Sequence, residues 1–294
     1  MRRRSVLALI AGGMAGAAGV RAGVPEGPRM TVLRLASAMP RFGGFSALHL
    51  DAAGMRALLL SDRGVLFEAQ VTRDVAGTAL AVTPTKAHVL RGTGGRRLPG
   101  YRADSEAIAV GADGTIYIGF EGQRGGVILA YPYPGATATA VPVPREFAAF
   151  GNNTGIESLA IDRAGALYVI PEDAPGPSFP IWRGRGGAWA RVGALPRSAG
   201  FLPVAADFGP DGALWVLERR FLRHGAFGSR LRRARRADLA SWATILQTPD
   251  GLHGNLEGLS LWRDGAGRTR AAMVADDNFR WLQRNEFVEY VLDV

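Results

Sequence analysis

The sequence contains no cysteine and a single lysine, Lys86. The first absence excludes a disulfide framework, a thiolate metal site, a cysteine nucleophile and a lipidated cysteine. A chain exported without disulfides has to rest on its packed core. The second absence leaves arginine as almost the only cationic side chain, so any anion site must rely on guanidinium groups or a bound cation. Histidine is also scarce: His49, His88, His224 and His253 are the whole supply. No G-x-S-x-G element is present, which argues against an α/β-hydrolase nucleophile. "RGTGGRR" at 91–97 is not followed by a helical pattern, so it is not a phosphate-binding P-loop. No sustained helical period appears anywhere, and no apolar run makes a good membrane span.

What is present is turn-rich and foldable. The 294 residues are 47% hydrophobic, with 40 glycines and 17 prolines, which excludes disorder and allows a large core. Residues 1–22 read as an export signal: Arg2, Arg3 and Arg4, then an apolar stretch of small residues, then Val-Arg-Ala. The paired arginines suggest the twin-arginine route, and a periplasmic or secreted protein is expected. Removing the four arginines of that segment lowers the formal charge from +9 to +5, a mild excess that does not call for nucleic acid. The basic run at 219–236 holds eight arginines but lacks interleaved aromatics on a defined face, and reads as a solvated outer strand. No linker or change of composition divides residues 23–294, so one domain is expected, as a monomer.

That domain repeats itself. "SALHLDAAG", "EAIAVGADG", "ESLAIDRAG", "VAADFGPDG" and "EGLSLWRDG" begin at Ser46, Glu106, Glu157, Val204 and Glu257, each reaching a turn glycine eight residues on. A second apolar run follows every turn, so each unit reads as an antiparallel hairpin. Units of about 50 residues in a series predict an all-β fold, a β-propeller. Five blades are expected, with a sixth conceivable in 63–103, where the spacing is longest. "MTVLRLA" near the start and "EFVEYVLDV" at the end would share the last blade and close the ring.

In a hairpin the start of the first strand lies beside the end of the second. Glu106, Glu157 and Glu257 on innermost strands would therefore meet Asp62, Glu121, Glu172, Glu218 and Asp276 at one channel mouth. So dense an acid ring needs compensation. A hard cation would supply it, Ca²⁺ above all, with Asn153, Asn255 and Asn278 adding neutral oxygens. Arginine would also do so, from Arg63, Arg124, Arg219 and Arg220. The sequence leaves both open.

The motifs "LLSDRG", "DSEAIAV", "GFEG", "NTGIESLAI", "LWVLERR", "NLEGLSLW" and "VADDNF", with Gln283 and Tyr290 after them, resemble the phytase-like propeller family. Its bacterial members carry the label "esterase-like activity of phytase". The resemblance runs from about Gly43 to Tyr290 and implies an exported propeller with hydrolase-type activity. The extended acidic and lysine-containing phosphate motifs of calcium-dependent propeller phytases are missing. The expected activity is metal-assisted hydrolysis of a small anionic or ester substrate. Glu106, Glu157, Glu257, Asp62, Glu172 and Asp276 would be Ca²⁺ ligands, and Glu157, His253 and Arg219 the catalytic candidates. Arg97, Arg219 and Asn278 would hold substrate. The alternatives are a non-catalytic ligand- or protein-binding propeller, or a lactonase-type hydrolase.

Overall fold

The computed structural model describes residues 29–121, 126–150, 155–223, 225–280 and 283–294. The segment read as an export signal, Arg124, Asn153 and His224 lie outside the described residues. Strand β1 (Met30–Arg34) is followed by four sheets of four consecutive strands and one of three. The first blade is β2 (Phe45–Leu50), β3 (Arg56–Ser61), β4 (Val65–Arg73) and β5 (Ala79–Val89). The second is β6 (Ser105–Val110), β7 (Ile116–Phe120), β8 (Val127–Tyr131) and β9 (Thr139–Val141). The third holds β10 (Ser158–Ile161), β11 (Leu167–Ile170), β12 (Ser178–Arg185) and β13 (Ala188–Pro196). The fourth holds β14 (Leu202–Phe208), β15 (Leu214–Phe221), β16 (Phe227–Arg235) and β17 (Asp238–Gln247). The fifth is β18 (Asn255–Arg263), β19 (Thr269–Asp276) and β20 (Glu286–Leu292), completed on its outer edge by β1. Met30 pairs with Tyr290 and Arg34 with Glu286 in antiparallel register. This is a five-bladed propeller closed by its two ends. The long spacing at 63–103 is taken up largely by β4 and β5, of nine and eleven residues, rather than by a sixth blade.

The turns follow from the repeat. In the first blade the Gly54 N–H donates to the Asp51 carbonyl (2.8 Å) and in the third Gly165 donates to Asp162 (2.8 Å). Asp162 Oδ1 also accepts from Ala164 and Ala166 N–H, each at 2.9 Å, the local bonding that suits Asp to turns. In the fifth blade the closing glycine is Gly267, which donates to Asp264. The sequence alignment on Gly265 was two residues short, because the inner strand of that blade is longer.

The five inner strands β2, β6, β10, β14 and β18 pack side by side in a ring. Phe45, Phe67 and Phe287 are fully buried between the fifth and first blades. The unpaired edges of inner strands need partners, and side chains of neighbouring blades provide them. Asp207 accepts from Leu261 N–H (2.7 Å), and Ser260 Oγ from Leu50 N–H (2.9 Å). Ser46 and Ser105 hydroxyls donate to the carbonyls of Ser105 (2.6 Å) and Ser61 (2.7 Å). Midway along the channel Leu48, Ile108, Leu159, Ala206 and Leu259 leave a void of only about 10 Å³. One mouth is therefore separated from the other by an apolar plug.

Candidate functional site

The first residue of each repeat has a backbone reason to be there. Where β6 meets β7, Ser105 opposes Phe120 and Ala107 opposes Gly119, so Glu106 is an extra, bulged residue. Ser46, Val204 and Glu257 are bulged in the same way in their blades. Glu157 stands immediately before β10, where Ser158 pairs with Ile170. A bulge bends the strand end and re-aims its side chain. Here it turns Glu106 and Glu257 toward the mouth, and Glu106 and Glu157 border the small void among the plug residues.

Register also fixes which residue of each second strand faces this tier. Asp276 opposes Asn255. The Asp62 N–H donates to the Gly44 carbonyl, and Glu121 N–H to Asp104. In the fourth blade the matching pair is Leu202 with Arg219. The strand-end acid assigned to Glu218 is thus corrected by one residue. Glu218 points between blades, fully buried, accepting from Arg230 Nε (2.8 Å) and Nη2 (3.0 Å). The ring position belongs to Arg219, a cation where the other blades carry Asp62, Glu121, Glu172 and Asp276.

Arg219 divides the ring. Its guanidinium donates to Glu172 Oε1 (3.0 Å), to Asn255 Oδ1 (2.7 Å) and to Glu257 Oε1. Asn255 Nδ2 donates to the same Glu257 oxygen (2.6 Å). On this arc the arginine remedy applies. The opposite arc has no such arginine among the described residues. Asp104, Glu106 and Glu121 each bring a carboxylate oxygen within 4.8 Å of the others. Among the described residues no arginine forms an ion pair with any of the three. Glu121 Oε1 accepts the Gly155 N–H, at 2.6 Å. Glu157 lies between the arcs.

Crowding and burial disfavour charge here. Burial first, then Glu157 and Glu257, hold the Glu106 carboxyl well above its ordinary range. Glu157 is raised in the same way, by burial and then Glu172, against the pull of Arg219. Burial lifts Glu121 and Asp62 to about 7, Glu257 to about 8 and Asp276 to about 6. A divalent cation would reverse that penalty. An all-oxygen set of this compactness suits a hard ion, and the donors fit Ca²⁺.

Of the residues singled out from sequence, Glu106, Glu157, Glu257, Glu172, Asp62 and Asp276 come together at this mouth. Asp104 was overlooked. It opens the "DSEAIAV" motif two residues before Glu106, and the backbone bond from the Glu121 N–H to its carbonyl brings it to the strand-end acid. Arg97 lines a cleft of about 460 Å³ beside Asp62 and Asp104. Asn278 lines another of about 300 Å³ with Arg219 and Arg280. His253 stands apart from the carboxylates, buried, its Nε2 2.6 Å from the Tyr290 hydroxyl, and burial lowers its pKa. The basic run is not a free cationic face. Arg220 pairs with Asp250, Arg230 with Glu218, Arg233 with Asp211 and Arg236 with Asp162.

The profile of the phytase-like family, "esterase-like activity of phytase", matches residues 40–279. The chain belongs to that family. No curated protein matches it. Among solved structures this phytase-like propeller is similar to an α-L-arabinofuranosidase from Podospora anserina (11% identity, TM-score 0.51, 88% of this chain and 94% of that one). It is also similar to a gluconolactonase from Xanthomonas campestris (15%, TM-score 0.46, 81% and 69%) and to a glucose dehydrogenase (11%, TM-score 0.47, 90% and 100%). At such identities the likeness concerns the fold alone. Among the described residues no helix is long and apolar enough to cross a membrane.

Proposed function

We propose that this phytase-like propeller is an exported, cation-assisted hydrolase of an ester or phosphoester, working at the acidic mouth. The observation that carries the reading is the arc of Asp104, Glu106 and Glu121, which has no arginine ion pair among the described residues, facing an arc already neutralised by Arg219. These three carboxylates, with Asp62 and Glu157 nearby, would hold Ca²⁺. A cation bound there supplies Lewis acidity toward the scissile group and toward water. Arg219, fixed by three partners, contributes a positive charge that needs no rearrangement during reaction. Glu157 is the proton carrier: it takes a proton from the attacking water and returns it to the leaving oxygen. In balance, a water oxygen bonds to the acyl carbon or phosphorus and the bond to the leaving oxygen breaks. The proton from water ends on that oxygen. Arg97 and Asn278, each in a flanking cleft, orient the substrate. His253, tied to Tyr290, shapes the fifth blade from behind. Export rests on the basic and apolar first residues.

The test is a thermal melt of residues 23–294 stripped with EDTA and titrated with Ca²⁺, Mg²⁺ or Mn²⁺. It is followed by turnover of p-nitrophenyl esters, phosphate esters and sugar lactones. A saturable rise in Tm with metal-dependent turnover supports the hydrolase, and the preferred ester names its class. Turnover confined to lactones selects the lactonase alternative. No shift and no turnover leaves the non-catalytic binding propeller.

A further inference from the structure

The turn at Asn278–Arg280 stands between the two clefts that flank the acidic mouth. Asn278 and Phe279 are both left-handed, at φ 49°. For a residue as bulky as phenylalanine that backbone is costly, and such strain persists only where the surroundings impose it. The imposing contacts are clear. Asp276 Oδ1 accepts from Asn278 N–H (2.7 Å), and Asp277 Oδ1 from Phe279 N–H (3.2 Å). Asp277 is itself held by Gly44 N–H (2.9 Å) and Asn285 Nδ2 (3.0 Å). Gly44, at φ +60°, leaves room for the ring, since a Cβ there would run into Phe279.

All this machinery holds a phenyl ring that does not enter the core. Phe279 is 37% exposed, on the wall of the cleft that also contains Asp104 of the carboxylate arc. The Arg63 guanidinium stacks over the ring at 4.0 Å. Arg41 and Arg97 line the same cleft and form no ion pair among the described residues. A partly exposed phenyl ring, cationic groups, Asp62 and Asp104, the last being one carboxylate of the metal-compatible cluster, line one cleft of about 460 Å³. A bare polyanion uses the arginines and wastes the ring. A plain apolar ester does the reverse.

We propose that the cleft selects an aryl ester of an anionic acid, an aryl phosphate in the simplest case. Its ring packs against the part of Phe279 that Arg63 leaves exposed, and its anion lies between Arg41 and Arg97. Phe279 is then the residue that sets specificity, and Arg41 and Arg97 set affinity for the acid part. Hydrolysis would join the water oxygen to phosphorus, break the bond to the aryl oxygen and release a phenol and phosphate. The proposal rests on the hydrolytic reading of the mouth, but binding of an inert analogue tests it separately.

The experiment is calorimetric titration of residues 23–294 with phenylphosphonate and methylphosphonate, with and without Ca²⁺. Phenylphosphonate is expected to bind about tenfold more tightly, the size of one aromatic contact. Phe279→Gly, which the left-handed backbone accommodates, should reduce that gap to within about twofold without lowering Tm. Phe279→Tyr should preserve it. Arg97→Ala should weaken both phosphonates by a similar factor. An equal affinity for the two ligands, no binding of either, or a gap that survives Phe279→Gly overturns the proposal. A gap that follows Phe279 in a protein with no turnover leaves the aryl cleft standing and removes the hydrolase reading. Turnover without a gap does the opposite.

Discussion

The two arcs of the acidic mouth begin from the same repeat and end in different chemistry. On one, Arg219 takes the place of a carboxylate and ties up Glu172, Glu257 and Asn255. On the other, Glu121 keeps that place, Asp104 adds a further acid, and no described cation pairs with either. A single register position therefore decides whether the local charge is neutralised by the chain itself or left for something else to neutralise. On the proposed reading, the closed arc is a structural element and the open arc is the one that a ligand completes.

Removing the cation of the closed arc should have the largest effect. Arg219→Ala leaves Glu172 and Glu257 facing each other and Glu157 uncompensated. Breaking a buried pair from one side costs about 3–5 kcal/mol, to be read from urea unfolding of the cation-free protein. Recovery in the triple variant with Glu172→Gln and Glu257→Gln would attribute the loss to stranded charge; no loss would dissolve the contrast between arcs. Next comes the open arc. Ca²⁺ at a hundredfold excess over its Kd should raise stability by about 2.7 kcal/mol. Asp104→Asn or Glu121→Gln should abolish that rise while leaving the cation-free protein as stable as before or more so. A calcium response that persists in both variants would place the ion elsewhere.

The third expectation concerns pH. Glu121 has a folded pKa of about 7, above its unfolded value, so the native state holds a proton that the unfolded state has released. Stability without metal is then greatest below the unfolded pKa and falls as pH rises through about 7. Between pH 5 and 8 the loss from Glu121 is about 2 kcal/mol after allowance for solvent screening. Differential scanning calorimetry checks it, and saturating Ca²⁺ should flatten the slope. The smallest effect belongs to Glu172→Gln, which weakens one of three bonds to Arg219 and should cost about 1 kcal/mol. A loss as large as that of Arg219→Ala would mean that the arc behaves as one inseparable unit.

Much of this was legible in the sequence. The spacing of Ser46, Glu106, Glu157, Val204 and Glu257 carries the blade count, because each repeat must build one sheet. The placing of those glutamates at one mouth follows from antiparallel pairing alone. Glu218 was taken for the ring acid because it is the acid at the end of its strand. The spacing of the repeat points one residue further on, since Glu121 follows Glu106, Glu172 follows Glu157 and Arg219 follows Val204 by the same 15 residues. One residue along a strand turns a side chain to the opposite face. The division into arcs was equally hidden, since it depends on where one guanidinium reaches across three blades. Phe279 is invisible for a further reason: its exposure and left-handed backbone come from Asp276, Asp277 and Gly44, not from its own preference.

Closure of the fifth blade carries a consequence for how the protein is made. Strand β1 has its only sheet partner in β20, and the flanking ion pair joins Arg29 to Asp293, 264 positions apart. A nascent chain emerges from the ribosome in order, and four blades can assemble while β1 still lacks its mate. Each inner strand, however, leans on those beside it, and the mouth draws residues from all five. Every residue of both arcs precedes β20, yet the ring that holds the arcs face to face closes only when β20 has been released, so a chain stalled short of it carries the acids of the mouth without the closure that positions them.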